Sequence, residues 1–404
     1  MITEIEIEGF KSLEKVHLKL GGLNLFVGTN ASGKSNFFDA LRVFQGVGYG
    51  FTIDEIFNGR PNLSGTEAWE PIRGGWPWIP FRGVGSLGDV QILLRVVLRL
   101  STAKLGDYRL ALSSDHLAVR LEKLEMDSRL LFSAVEIENE YMDLMNVELG
   151  GGERKFSLES RGPVLGSLLE EGHLERFDRD AVKACLRLLG NVQRLEPSVP
   201  LLRDYTRASR ATRRMGEKGE NFAGLIKTII AERDLRSDYV SWLRQLTPTD
   251  LEDIAILEGA LGEPLFAIRA GGNIIPAPSL SDGTLRFAAL VAAFFQPDMP
   301  DIITIEELEN GIHPSRLRLL LELLKSQSGG SNRPGPQVFA TTHSPLVLSW
   351  LEESDYATTF VCKRDEETGA SIIKPLSEIP LLGELAKKQP IGDLFAEGWL
   401  EGVF

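Results

Sequence analysis

The chain has 404 residues, 43% hydrophobic and 25% charged, with a formal net charge of −13. Those are ordinary globular values that allow a large core, and the acidity argues against a uniformly basic nucleic-acid-binding surface, though not against a local basic patch. Cys185 and Cys362 are far apart and lack metal-ligand spacing, so buried or free thiols in a reducing compartment are expected.

The opening Met-Ile-Thr-Glu-Ile-Glu has no basic region ahead of an apolar one, and no signal peptide is expected. The longest apolar stretch, 285–295, contains Arg286 and is too short to span a bilayer. A cytoplasmic location follows as an expectation. Residues 2–27 alternate, with Ile2, Ile5, Ile7 and Phe10 followed by Val16, Leu18 and Leu20. This predicts two or three strands, with turns at 11–13 and at Gly21-Gly22. The apolar run 23–27 leads into Gly28-Thr29-Asn30-Ala31-Ser32-Gly33-Lys34-Ser35, which fits G-x-x-x-x-G-K-[ST]. Glycines let consecutive N–H groups point at a triphosphate, Lys34 reaches the β- and γ-phosphates, and the Ser35 hydroxyl suits Mg²⁺. Asn36 extends the candidate nucleotide contacts. A helix is predicted over 34–44, with Phe37, Phe38, Leu41 and Phe44 on one side.

Residues 46–87 are rich in Gly, Pro and Trp and read as an irregular surface excursion. Trp69, Trp76 and Trp78 make either a partner surface or a loop packed on its own rings. Short alternating segments over 88–160, such as 90–100 and 116–124, predict an antiparallel lobe. From 166 to 246 the pattern turns helical, and 254–275 again reads as strands. Arg203, Arg207, Arg210, Arg213, Arg214 and Lys218 fall in one stretch. On a helix several would share a side and meet DNA or RNA phosphates; the competing reading is a solvated helix or loop paired with the chain's many acids.

From Ser281 onward helix and strand alternate: 284–295, Ile302–Ile305, 315–325, then 338–341. A parallel sheet covered by helices is expected. Ser281 or Asp282 suits a helix N-cap; alternatively Ser281, the Gly283 backbone and the helix start form a second phosphate-binding face. The strand 302–305 ends in Glu306 and Glu307, placing one acid near Mg²⁺ and the other near an attacking water. His343 ends another strand, where it either contacts a γ-phosphate or orients water, or is merely structural.

Taken together, these motifs resemble the ABC-type ATPase heads of the SMC/RecF class, most closely the RecF-like and OLD-like AAA-family ATPases predicted in bacteria. In that resemblance 28–35 is the Walker A loop, 280–284 the signature loop and 302–307 the Walker B strand. Residues 310–313 match the D-loop, and His343 the switch histidine. The likeness covers roughly residues 1–45 and 275–350. It implies an α/β P-loop fold with a single head over 1–404. The split core would be 1–45 and 275–404, with a β-rich lobe at 46–160 and a helical insertion at 161–250. It further implies Mg-dependent ATP hydrolysis in a head-to-head homodimer clamping two ATP molecules. Glu307 would position the water, Ser35 and Glu306 would serve the metal, and Ser281 and Gly283 would act in trans. A role in DNA repair or anti-phage defence beside an effector nuclease is implied by the likeness; the competing function is a regulatory or scaffold ATPase with little turnover. A transporter subunit is disfavoured by the long insertion and by Glu-Asn-Gly-Ile-His-Pro at 309–314. The chain departs from the pattern with Glu306 in place of Asp and Ser-Asp-Gly-Thr in place of Ser-Gly-Gly-Gln. Gln45 and Gln91 are the candidates for the Q-loop glutamine. Neither a heptad arm nor a nuclease module is recognisable.

Overall fold

The computed structural model describes all residues except 62–66, 84–90, 102–103, 114–117, 138–143, 151–153, 160, 171–173, 209–210, 247–250, 331–333 and 404. It divides into two compact units, the first comprising residues 1–192, 353–384 and 398–404, the second 193–352 and 385–397.

In the first unit, alternation makes β1 (Ile2–Phe10) and β2 (Leu13–Lys19) an antiparallel pair, with Ile5 opposite Leu18 and Ile7 opposite Val16. Six further antiparallel strands, from Ile92–Ser101 to Arg154–Glu159, continue from β1 into an eight-stranded sheet. The antiparallel lobe expected from the sequence is thus one sheet with β1 and β2. The strand β3 (Leu23–Val27) pairs in parallel with Thr359–Arg364, which in turn pairs antiparallel with Ser371–Pro375. Helix α1 (Lys34–Gly48) follows β3 and runs four residues past the predicted end. Its buried face carries Phe37, Phe38, Leu41 and Phe44. Phe26 of β3 meets Phe37 at 4.3 Å and Phe360 at 5.0 Å between ring centroids, so one aromatic cluster fixes the angle between strand and helix. Farther along, α1 packs on helix Arg176–Gly190, and a Cβ at Gly48 would meet the Gly190 nitrogen at 2.1 Å, so the backbones touch.

The excursion 46–87 is less irregular than its composition suggests. It holds helix Ile53–Asn58, started by a capping box between Thr52 and Glu55, a short strand pair and the turn Trp76–Trp78. Thr52-x-x-Glu55 was the available signal. Trp69 is buried against Tyr49 and Phe51, and Trp76 packs on Phe57, whereas Trp78 is 64% exposed. Two of the three rings therefore serve the loop itself.

In the second unit, Ile302–Ile305 pairs in parallel with Gln337–Thr342, Ile305 standing opposite Ala340, and residues 193–195 lie on the other side of Ile302–Ile305. Helices Asp282–Ala293 and Pro314–Gln327 alternate with these strands. Residues 287–293 are all buried, which accounts for the apolar run seen in the sequence. A three-stranded antiparallel sheet, Leu251–Glu258, Pro264–Ala270 and Asn273–Pro276, packs with helix Phe222–Ala231. Of the two readings of the basic stretch, the loop paired with acids is the one found: the described residues between 203 and 221 form no helix. Arg203 is tied to Asp282 and Arg213 to Asp298, and such pairs fix a loop rather than a helix face. Arg210 lies outside the described residues. Among the described residues no helix is long and apolar enough to cross a membrane. Cys185 and Cys362 are both buried thiols, each pushed by burial up to about 12.

Candidate functional site

The loop 28–35 belongs to the first unit, between β3 and α1. Two of its glycines are required by space. A Cβ at Gly28 would meet the Cys362 carbonyl oxygen at 2.1 Å, and one at Gly33 would meet the Ser371 Oγ at 2.0 Å. Gly33 also has φ +99°, a conformation open to glycine. Behind it, the Asn36 amide donates to Ser12 Oγ at 2.6 Å, which contacts Ser371 Oγ at 2.6 Å. Asn36 thus braces the loop. Lys34 is 6% exposed, and its ammonium donates to the Gly28 and Thr29 carbonyls, both at 2.7 Å, and to Ser32 Oγ at 3.2 Å. Thr29, Asn30 and Ala31 form the exposed crest, with Ala31 at φ +64°. No side chain caps α1, and its first turn contains no acid. A 15-residue helix beginning this way presents backbone N–H groups and the positive end of its dipole to an anion. Phosphates fit it. Ser35 offers a hard hydroxyl oxygen of the kind Mg²⁺ takes.

The acidic strand end, the signature turn and His343 belong to the second unit. Glu306 is a carboxylate and so also suits Mg²⁺; here it lies 3.4 Å from Arg194, which also reaches Glu196 and Glu217. Glu307 is exposed and sits at φ +55°. Two bonds hold it there: its N–H donates to Thr341 Oγ1 at 2.8 Å, and the next N–H, of Leu308, donates to the Thr341 carbonyl at 2.9 Å. Glu309 completes the turn. Its carboxylate accepts the Thr342 hydroxyl at 2.8 Å and the His343 N–H. The parallel strands thus bring Glu306, Glu307 and His343 to neighbouring ends. Among the described residues, no three His, Cys, Asp or Glu side chains gather to hold a metal by themselves.

Ser281 takes the N-cap role, its Oγ accepting from the Thr284 N–H at 3.3 Å. Arg316 donates to Thr284 Oγ1 at 2.9 Å, and a Cβ at Gly283 would lie 2.9 Å from the Gly311 carbonyl oxygen. The turn is therefore seated directly against residues 310–313. Asp282 brings a negative charge to this helix start, where a phosphate would be repelled. Arg203 offsets it, donating to Asp282 at 2.6 Å and to the Leu280 carbonyl at 3.1 Å. Arg286, half-buried one turn later, is drawn below the usual guanidinium range by burial, while Glu196 and Glu307 pull it the other way.

Sequence reasoning missed Glu309, Arg194 and the Arg203–Asp282 pair. Each depends on strand or loop packing that no local pattern encodes. Of the remaining basic residues, Arg207 is exposed in the loop between helices, and Arg214 and Lys218 are engaged in interactions there. Gln45 donates to the Val192 carbonyl at 3.1 Å, so its amide serves the helix packing.

Comparison with known proteins adds three likenesses. Residues 1–96 match a family described as "AAA ATPase domain". Residues 233–349 match one described as "AAA domain, putative AbiEii toxin, Type IV TA system". A protein of Helicobacter pylori (strain ATCC 700392 / 26695) named "ATP/GTP phosphatase" is 23% identical over 384 residues, which span 91% of this chain and 94% of that protein. The chain is an ATPase. Its two matched segments carry the phosphate loop on one side and the signature turn, acidic strand end and His343 on the other. Both matched families imply the α/β fold of P-loop nucleotide hydrolases, in keeping with the mixed sheets and flanking helices.

Proposed function

We propose that this ATPase is a switch of ABC type, in which ATP closes a head-to-head dimer of two copies and hydrolysis reopens it. The carrying observation is the signature turn: Ser281 and Asp282 are exposed at the start of a 12-residue helix, in a turn anchored by Arg203, Arg316 and the Gly311 carbonyl. An anchored turn facing solvent supports a role toward a second molecule. On this reading residues 28–35 take the triphosphate, with Lys34 on its terminal phosphates. Ser35 and Glu306 would hold Mg²⁺, which supplies charge neutralisation at the phosphate oxygens when bound. Glu307 accepts the proton of the attacking water and orients it, and His343 donates to the γ-phosphate. Ser281 and Gly283 serve the nucleotide of the partner copy.

The biological setting we propose is DNA repair or anti-phage defence alongside an effector protein. The toxin–antitoxin description of the family matching 233–349 supports the defence side. Replacing Glu307 by Gln keeps the side chain's size while removing its basicity. Sedimentation of Glu307→Gln with ATP and Mg²⁺ should show a dimer, and without nucleotide a monomer. The same monomer under both conditions would sink the proposal.

A further inference from the structure

One aromatic ring of the first unit is neither core nor explained by the phosphate chemistry. Trp78 is 64% exposed and lines a 490 Å³ cleft that also takes in Ser35 and Asn36, at the first turn of α1. The cleft begins where the phosphate loop ends.

The ring is held in place by backbone on one side and charge on the other. Lys11 N–H donates to the Ile79 carbonyl at 2.5 Å and Phe81 N–H to the Gly9 carbonyl at 2.9 Å, which pins residues 79–81 to the end of β1. Arg73 donates to the Ser35 carbonyl at 3.2 Å, and the Lys11 ammonium bridges Asp39 at 2.6 Å and the Arg73 carbonyl at 2.7 Å. The Trp-bearing loop is therefore fastened to the phosphate-binding helix itself. Arg82 lies over the Trp78 ring, 5.1 Å from its centroid, and donates to the Pro77 carbonyl at 2.5 Å. Among the described residues the cleft is also lined by Lys11, Arg73, Arg82 and Arg364, with Asp39 as its one carboxylate.

We propose that Trp78, stiffened by Arg82, is the platform on which the base of the bound nucleotide stacks, and that it takes adenine and guanine alike. A flat exposed ring beside a triphosphate loop, in a cation-lined cleft, suits an aromatic base attached to phosphates. Stacking is sequence-tolerant because every base has a π-face. Two side chains of the cleft that could read a base edge are otherwise engaged: the Asn36 amide on Ser12, and the Asp39 carboxylate between Lys11 and Arg73. This proposal rests on residues 28–35 being the phosphate loop, and the test separates the two.

Equilibrium binding of ATP, GTP and inorganic tripolyphosphate is measured for the native chain and for Trp78→Ala, Trp78→Phe and Lys34→Ala. Trp78→Ala should weaken ATP and GTP together by about tenfold or more, the worth of one lost stack, and leave tripolyphosphate unchanged. Trp78→Phe should restore most of the loss. Unaltered ATP binding by Trp78→Ala would overturn the proposal, as would an equal loss for tripolyphosphate. Discrimination between ATP and GTP by the native chain would overturn its tolerance of both purines. Lys34→Ala should lose all three ligands; if it kept tripolyphosphate, the loop reading would fall and the base platform with it.

Discussion

Glu307 carries an uncommon backbone for its type. A non-glycine residue at φ +55° strains its Cβ against the backbone and costs about 1 kcal/mol. Nothing in a surface turn requires that cost, yet two hydrogen bonds accepted by Thr341 enforce it. Strain of this kind gathers where a side chain must be aimed. Glycine adopts the same φ freely, although it loses more entropy on folding. Glu307→Gly should therefore leave urea-unfolding stability level or raised by up to about 1 kcal/mol, while ATP turnover disappears. A clear loss of stability would show that the conformation is not strained, and retained turnover would show that the carboxylate does no chemistry. The adjoining Glu306 ends a strand and was legible from the sequence as an acid following Ile302-Ile303-Thr304-Ile305.

At the level of elements, the turn after Ile302–Ile305 is sewn to the end of Gln337–Thr342 by Thr341 on one side and Glu309 on the other. Glu309 reaches His343 through its backbone N–H, so it sets where the imidazole stands without touching it. Glu309→Ala removes both acceptors, whereas Glu309→Gln keeps an acceptor for one of the two donors. Steady-state ATP hydrolysis should show kcat lowered about tenfold or more in Glu309→Ala, KM little changed, and substantial recovery in Glu309→Gln. A rise in KM with unchanged kcat would mean that the clamp serves binding instead. This clamp marks the boundary of what the sequence could reveal. The phosphate loop, the acidic strand end and the helix–strand alternation after Ser281 are local patterns, and their physical causes act over a few residues. The eight-stranded sheet was visible only as separate segments, because strand pairing is not local. For the stretch from Arg203 to Lys218 the sequence left helix and acid-paired loop both open, because the partners Asp282 and Asp298 lie about eighty residues away in the chain. Trp78 could not be told from Trp69 and Trp76, since composition alone does not say which ring of a cluster faces water.

The molecule as a whole is acidic, and among its described residues two carboxylates are buried: Asp39 and Glu122. Asp39 lies against Lys11 and Arg73. Glu122 has neutral donors, accepting the Tyr108 hydroxyl at 2.8 Å, the Leu165 N–H at 3.1 Å and the Val164 N–H. Its place in Val119–Met126 is in phase with Leu124 and Met126, so strand alternation carries a carboxyl into the core along with them. Burial raises it to about 7 from an ordinary 4.5, even though all three hydrogen bonds favour the charged form. A carboxyl raised on folding binds its proton more tightly in the native state. Its contribution to stability is thus full below the unfolded value of 4.5, falls as pH rises toward 7, and is level above that. Glu122→Gln has no such titration. Urea unfolding of the two proteins should show the variant gaining on the native chain by about 3 kcal/mol between about pH 4.5 and about pH 8. A loss of one backbone acceptor shifts the whole difference by a constant and leaves that slope intact. A difference independent of pH would mean that Glu122 is already ionised throughout. The hydrogen bonds from Tyr108, Val164 and Leu165 would then outweigh burial, and the sheet's core would hold a charged carboxylate instead of a protonated one.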